Sequence, residues 1–283
     1  VYQTSSANNP QSYISGSGAE KLEKYNAFTF EVDTIIPEKL PATDPAFFDT
    51  PFLSASIGGF HQANTTNYDW VPSEIANAQI FIVRDQKESN TAKFLLSNQD
   101  GTLLLSSSYY PEIYDNERWV LAVRVKPVGY PIIGSMLTSS SPTYEISFYG
   151  VNHEFGEVKN EFSVSASIDY ASGSSYLSEP KRMYVGSHKQ NFTGSTLQRT
   201  DVQIGSCRFW MDYLSDYDLK AHSKDITNLG VDNSTRNGTL FATNLTNVPI
   251  PRSDTLSLNW DFDLVTSSSA GGVFEVVDVS SGS

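Results

Sequence analysis

Three carboxylates, Glu112, Asp115 and Glu117, crowd together just ahead of Trp119. Paired carboxylates are the chemistry of retaining glycosidic-bond cleavage, which needs nucleophile and acid about 5 Å apart across the bond, a separation that alternate residues of one strand supply. Here the offsets are three and two residues, and Asp115-Asn116 has turn composition. The spacing therefore predicts a solvated turn, not an acid–base pair. The four histidines, His61, His153, His188 and His222, fall in different predicted loops with no i, i+4 pairing, and the chain has no Gly-x-Ser-x-Gly elbow. Neither a zinc site nor a serine triad is expected. The single cysteine, Cys207, excludes an intrachain disulfide and a multi-cysteine metal site. Lying in an apolar run beside Phe209 and Trp210, it reads as a buried, inert thiol.

Binding is the chemistry that remains. Tyr68, Trp70, Tyr109, Tyr110 and Tyr114 sit in predicted loops, where their flat faces could stack on sugar rings. The competing reading is that they cap the ends of the core. No cofactor is expected, with calcium as the one ion left open. There is no twelve-residue calcium loop, but the scattered acids Asp69, Asp85, Asp100 and Asp169 could each give an oxygen ligand or simply serve turns. Asn64, Asn191, Asn233, Asn237 and Asn244 open Asn-x-Ser/Thr sequons. They are compatible with secretion through a glycosylating compartment, although a chain so rich in Asn, Ser and Thr generates that pattern by chance.

The elements that must position these residues are strands. The chain has 283 residues, is 39% hydrophobic and 12% aromatic, and is only 18% charged, a balance that favours strands over charged helices or disorder. Its formal net charge of −13 repels phosphate backbones and anionic lipid, so neither nucleic acid nor membrane is an expected partner. No apolar run reaches the ~20 residues of a membrane-spanning helix. The chain opens at Val1 without a charged-then-apolar leader, which reads as a processed product or a piece of a longer protein.

Residues 1–25 are polar and read as an extended arm. Phe28, Phe30 and Val32 alternate with Thr29 and Glu31 until Pro37 closes the strand. Gly58-Gly59 predicts a bend or bulge. Short apolar runs at 80–83, 94–96 and 103–105, with a hairpin signal at Asp100-Gly101, predict a meander. Alternation at 119–125, 144–148 and 162–168 predicts strands with one buried face, and Ser163, Ser165 and Ser167 face the other way. Residues 139–142 and 171–175 have linker composition.

In the stretch from Lys181 to Gly230, Arg182-Met183-Tyr184-Val185-Gly186 is a short strand and Val202–Trp210 an alternating one. Ser215-Asp216-Tyr217-Asp218-Leu219-Lys220-Ala221-His222 follows as one short helix, with a capping-box pair at Ser215 and Asp218. Met-Tyr-Val-Gly, then Ile-Gly-x-x-Arg-Phe-Trp, then Leu-Ser-Asp-x-Asp-Leu resembles the C-terminal half of laminin G-like, concanavalin A-like jelly-roll domains. Asn116–Val125 is similar to that family's Trp-x-x-Val-Ala-Val strand, and Tyr144–Val151 to the strand and turn after it. Together these cover roughly positions 116–230. Within the family, Leu258-Asn259-Trp260-Asp261-Phe262 and the helix are most similar to modules in structural proteins of tailed bacteriophages.

The expectation is an all-β, antiparallel β-sandwich of the concanavalin A-like jelly-roll type with one short helix. Residues 1–25 form the arm, 26–230 the sandwich and 231–254 a linker. Residues 255–283 either close the sheet or start a following module. The resemblance implies a non-catalytic structural or interaction module in a virion or extracellular assembly, partnered by other copies or other structural proteins. A carbohydrate-binding domain that takes a glycan is the alternative, and a glycoside hydrolase or lyase a third. Unpaired strands at the two ends predict that the termini pair with a neighbouring copy or module. Trp119 and Trp210 are expected core anchors.

Overall fold

A computed structural model describes residues 2–3, 27–38, 53–62, 77–87, 89–98, 101–130, 142–178, 181–189, 196–225, 255–268, 274–278 and 280. Two antiparallel sheets face each other. The front sheet has the order β1 (Tyr2–Gln3), β10 (Lys181–Val185), β3 (Ser54–Gln62), β4 (Ala78–Arg84), β5 (Ala92–Ser97), β6 (Leu104–Ser106). The back sheet runs β15 (Phe274–Asp278), β14 (Leu256–Ser268), β13 (Gln203–Trp210), β2 (Phe28–Ile36), β7 (Glu117–Pro127), β8 (Tyr144–Glu154), β9 (Glu157–Ile168). β11 (His188–Lys189) and β12 (Thr196–Gln198) pair as a separate ribbon. Among the described residues two helices accompany the sheets, α1 (Tyr170–Ser178) and α2 (Asp216–Lys224).

The period-2 pattern sorts side chains between the layers. Phe28, Phe30 and Val32 of β2 meet Phe60, Phe94, Trp119, Phe148 and Phe209 in one core between the sheets. Rings interlock there, Phe28 stacking on Phe209 at 5.1 Å and Phe94 lying 4.7 Å from Trp119. Cys207 is fully buried in this core, and burial raises its thiol pKa far above the ordinary value. The meander is present as β3 to β6, and the β3–β4 register slips between Ser56 and Gly58. Pro37 follows the last residue of β2, and Ser163, Ser165 and Ser167 are exposed on β9.

Five expectations are revised. First, the linker-like stretch 171–175 is helical: the Asp169 carboxylate accepts from Ser172 N at 2.8 Å, and Tyr176 and Leu177 anchor α1 in the core, so packing overrides poor propensity. Second, the expected turn after Tyr144–Phe148 is continuous strand. Gly150 lies inside β8 because a Cβ there would stand 2.2 Å from the Phe162 ring. Third, Trp210 is the buried anchor expected, but its cluster is a second one on the outer face of the back sheet. An extra residue at Gly205 shifts the phase of β13, so Ile204, Cys207 and Phe209 face the core while Trp210 joins Val120, Tyr149, Leu214, Leu219 and Leu256 under α2. Fourth, the histidines lie in elements: His61 in β3, His153 in β8, His188 in β11 and His222 in α2. Fifth, the terminal strands pair within the chain, Tyr2 opposite Arg182 in the front sheet and Cys207 opposite Trp260 in the back sheet.

Candidate functional site

The outer face of the back sheet carries a charged layer, and α2 is fastened onto it at three points. Arg124, almost fully buried, donates to Leu214 O at 2.9 Å, to Asp216 Oδ1 at 2.6 Å and to Ser147 Oγ at 2.9 Å, which holds the N-terminal end. In the middle, the His222 ring stacks on Trp210 at 5.3 Å and its Nδ1 lies 2.9 Å from Glu31 Oε2, which also accepts from Trp210 Nε1 at 3.1 Å. Burial by itself would raise the Glu31 pKa, but His222, Arg208 and Trp210 outweigh it and the net shift is downward. At the C-terminal end, Arg118 grips buried Asp33 through Nε at 3.0 Å and Nη2 at 2.6 Å, and its Nη1 donates to Ser223 O at 3.1 Å. The helix itself begins at Ser215, whose hydroxyl accepts from Asp218 N while the Asp218 carboxylate accepts from Ser215 N, a complete capping box. Glu31 and His222 are too deeply buried to meet a substrate, so this pair locks the helix to the sheet.

Beside the C-terminal end of α2 a pocket of about 170 Å³ opens between helix and sheet, lined by Arg118, Val120, His153, Gly156, Ser223 and Lys224. Ser223 Oγ lies 2.8 Å from Lys220 O and 2.7 Å from His153 Nδ1. A hydroxyl has one proton; donated to the carbonyl, it leaves Oγ to accept from Nδ1–H, and Ser223 is then not activated as a nucleophile. Burial lowers the His153 pKa, and Lys224, Arg118 and Lys220 lower it further against Glu157. Cations thus gather around His153 in a chain whose net charge is −13, while the carboxylates Asp33, Asp225 and Glu31 act on Arg118 at the same wall.

The pocket borders the β8–β9 hairpin, whose strands pair down to Glu154 opposite Glu157. The two loop residues have positive φ, +52° at Phe155 and +84° at Gly156, the signature of a type I′ turn. A phenylalanine in left-handed backbone is strained, and Phe155 is also 99% exposed.

On the outer face of the front sheet, His61, Gln79, Tyr184 and His188 form a second polar cluster. His188 stacks on Tyr184 at 4.3 Å and lies 4.7 Å from His61, whose Nε2 is 2.9 Å from the Gln79 amide. Burial lowers His188 to about 4, and burial with neighbouring His188 lowers His61 to about 2, so both rings are neutral at physiological pH.

The likenesses of this chain to solved structures are distant ones. No protein-family model and no curated protein matches the chain. Full-length tailspike protein 2 of Escherichia coli O157:H7 bacteriophage CAB120 aligns with a TM-score of 0.38 at 13% identity, over 74% of this chain and 22% of the tailspike. The enzymatically active domain of bacteriophage CBA120 tailspike protein 2 gives 0.38 and 13%, over 74% of this chain and 25% of that one. The Ruminococcus gnavus IT-sialidase CBM40 bound to α2,3-sialyllactose gives 0.32 and 10%, over 71% and 84%.

Of the aromatic residues singled out in the sequence, Tyr68 and Trp70 lie outside the described residues, as do Asp69, Asp100 and all five sequon asparagines. Tyr110 packs 5.1 Å from Trp119 and its hydroxyl donates to Glu161 O at 3.3 Å. Tyr114 is buried with Arg84 3.4 Å above its ring, while Tyr109 is 48% exposed with Lys93 5.1 Å above it. Glu112 and Asp115 are exposed in the turn before β7. Glu117 is taken up by Asn152 and by Lys159 at 2.5 Å. Asp85 accepts from Gln86 N, and Asp169 caps α1.

Of the pocket residues only His153 stood out in the sequence, and there without a partner, while Phe155 did not stand out at all. Glu154-Phe155-Gly156-Glu157 has the X-Gly form of a two-residue hairpin loop between alternating runs, which was the available signal. Nothing in the sequence places Arg118, His153 and Ser223 together, because they belong to β7, β8 and α2.

Proposed function

We propose that this chain is a non-catalytic structural and interaction module of an extracellular or virion assembly, and that the β8–β9 hairpin is its principal contact. The observation that carries this reading is Phe155: a large apolar side chain placed wholly in solvent, on a turn whose backbone disfavours it, gives the isolated fold nothing in return. A neighbour that buries the ring repays both costs. β9 supports the same reading, because among the described residues it pairs on one side only, leaving main-chain groups for a strand of another copy or another structural protein. Competition between wild type and Phe155→Asn for incorporation into the native particle tests it. The variant is expected to fold normally and to be excluded, and equal incorporation would contradict the proposal.

Carbohydrate binding is a second reading, favoured by one observation: the pocket is the size of a six-membered ring and adjoins an exposed aromatic. Binding to a glycan array, lost when the pocket is altered, is the expected outcome on this reading.

A further inference from the structure

We propose that the pocket at the C-terminal end of α2 binds the carboxylate and ring of an acidic monosaccharide unit, a hexuronate or a chemically equivalent sugar acid. This rests on the carbohydrate-binding reading and adds the charge class of the ligand. A helix C-terminus ordinarily presents carbonyl lone pairs and repels anions. Here three of those carbonyls are already satisfied: Lys220 O by the Ser223 hydroxyl at 2.8 Å, Ala221 O by Asp225 N at 3.3 Å and Ser223 O by Arg118 Nη1 at 3.1 Å. What the pocket wall offers instead is donors.

A guanidinium has five N–H groups. Arg118 uses Nε and one hydrogen on each terminal nitrogen for Asp33 and Ser223, which leaves one hydrogen on each Nη, and its side chain is 35% exposed. Those hydrogens suit a carboxylate. Lys224 stands exposed at the rim. Asp33, Asp225 and Glu31 act on Arg118 and Glu157 acts on His153, where the cations Lys224, Arg118 and Lys220 prevail. The volume, about 170 Å³, matches the ~150 Å³ cavity known to hold benzene, so one six-membered ring fits. Buried Val120 closes the floor of the pocket, and exposed Phe155 at the adjoining turn gives an apolar face for the C–H side of a sugar.

The test is a titration of the full chain with glucuronate, glucose and acetate, followed by the amide resonances of Gly156 and Lys224. Glucuronate is expected to bind more tightly than acetate and glucose not at all, and Lys224→Glu, a change at an exposed position, is expected to weaken glucuronate about tenfold or more. Equal binding of glucose and glucuronate would overturn the acidic assignment and leave the sugar reading standing. Acetate binding as tightly as glucuronate would overturn the ring, and the absence of binding by any sugar would overturn both. An acidic peptide that binds where glucuronate does not would assign the pocket to a protein partner and overturn the proposal.

Discussion

Phe155 makes opposite predictions for stability and for binding. Asparagine tolerates left-handed backbone and is favoured ahead of glycine in type I′ turns. Phe155→Asn should therefore raise unfolding stability by roughly 0.5–1 kcal/mol while weakening assembly, and a denaturant midpoint that falls would show that the ring supports the fold. The tryptophans test the two cores separately. Trp119→Ala should cost about 3–5 kcal/mol through lost packing between the sheets. Trp210→Ala should cost a similar ~3–5 kcal/mol but also release the Glu31–His222 lock, so amide exchange should quicken in α2 for this variant and not for Trp119→Ala. Single residues were legible in the sequence where local alternation settles a side, as for Trp119 and Cys207. Trp210 is the buried anchor expected, but which of the two clusters it joins was not legible, because Gly205 adds one residue to β13 and inverts the phase beyond it.

Among the elements, β8 depends on a glycine in mid-strand. Adding a Cβ at Gly150 puts it 2.2 Å from Phe162 and 2.8 Å from Leu121. Gly150→Ala should therefore destabilise by roughly 1–3 kcal/mol, and Phe162→Leu in the same chain should recover part of that loss in thermal unfolding. The strands and α2 were legible because their signals are local: alternation, proline stops, and the Ser215–Asp218 capping box. α1 was not, since its serine-rich sequence becomes helical only once Tyr176 and Leu177 are buried against strands distant in sequence. The pocket was illegible for the same reason, being a product of where β7, β8 and α2 meet.

The whole molecule should lose stability in acid in two stages. His188 and His61 resist protonation when folded and accept it when unfolded, so their contribution is complete above the unfolded value of about 6.5. It declines as pH falls from there toward about 4 for His188 and about 2 for His61. Glu31, with a lowered folded pKa, adds a further loss once pH falls below its ordinary value of 4.5. The urea midpoint should therefore drop between pH 6.5 and 4.5, and His188→Gln should flatten that limb; a midpoint unchanged across the interval would contradict the buried neutral pair. All-β architecture and two antiparallel layers followed from composition and period. The pairing of residues 256–268 with β13 did not, because the choice between closing this sheet and opening another depends on contacts across the chain.

Hydroxyl-radical footprinting of the wild-type chain, free and in its native assembly, decides whether the β8–β9 hairpin is a contact surface. In the free chain Phe155 should oxidise readily, as its 99% exposure requires. In the assembly, Phe155 should be strongly protected while exposed Leu53, beside β4 in the front sheet, keeps its free-chain reactivity. Equal oxidation of Phe155 in both states would contradict it.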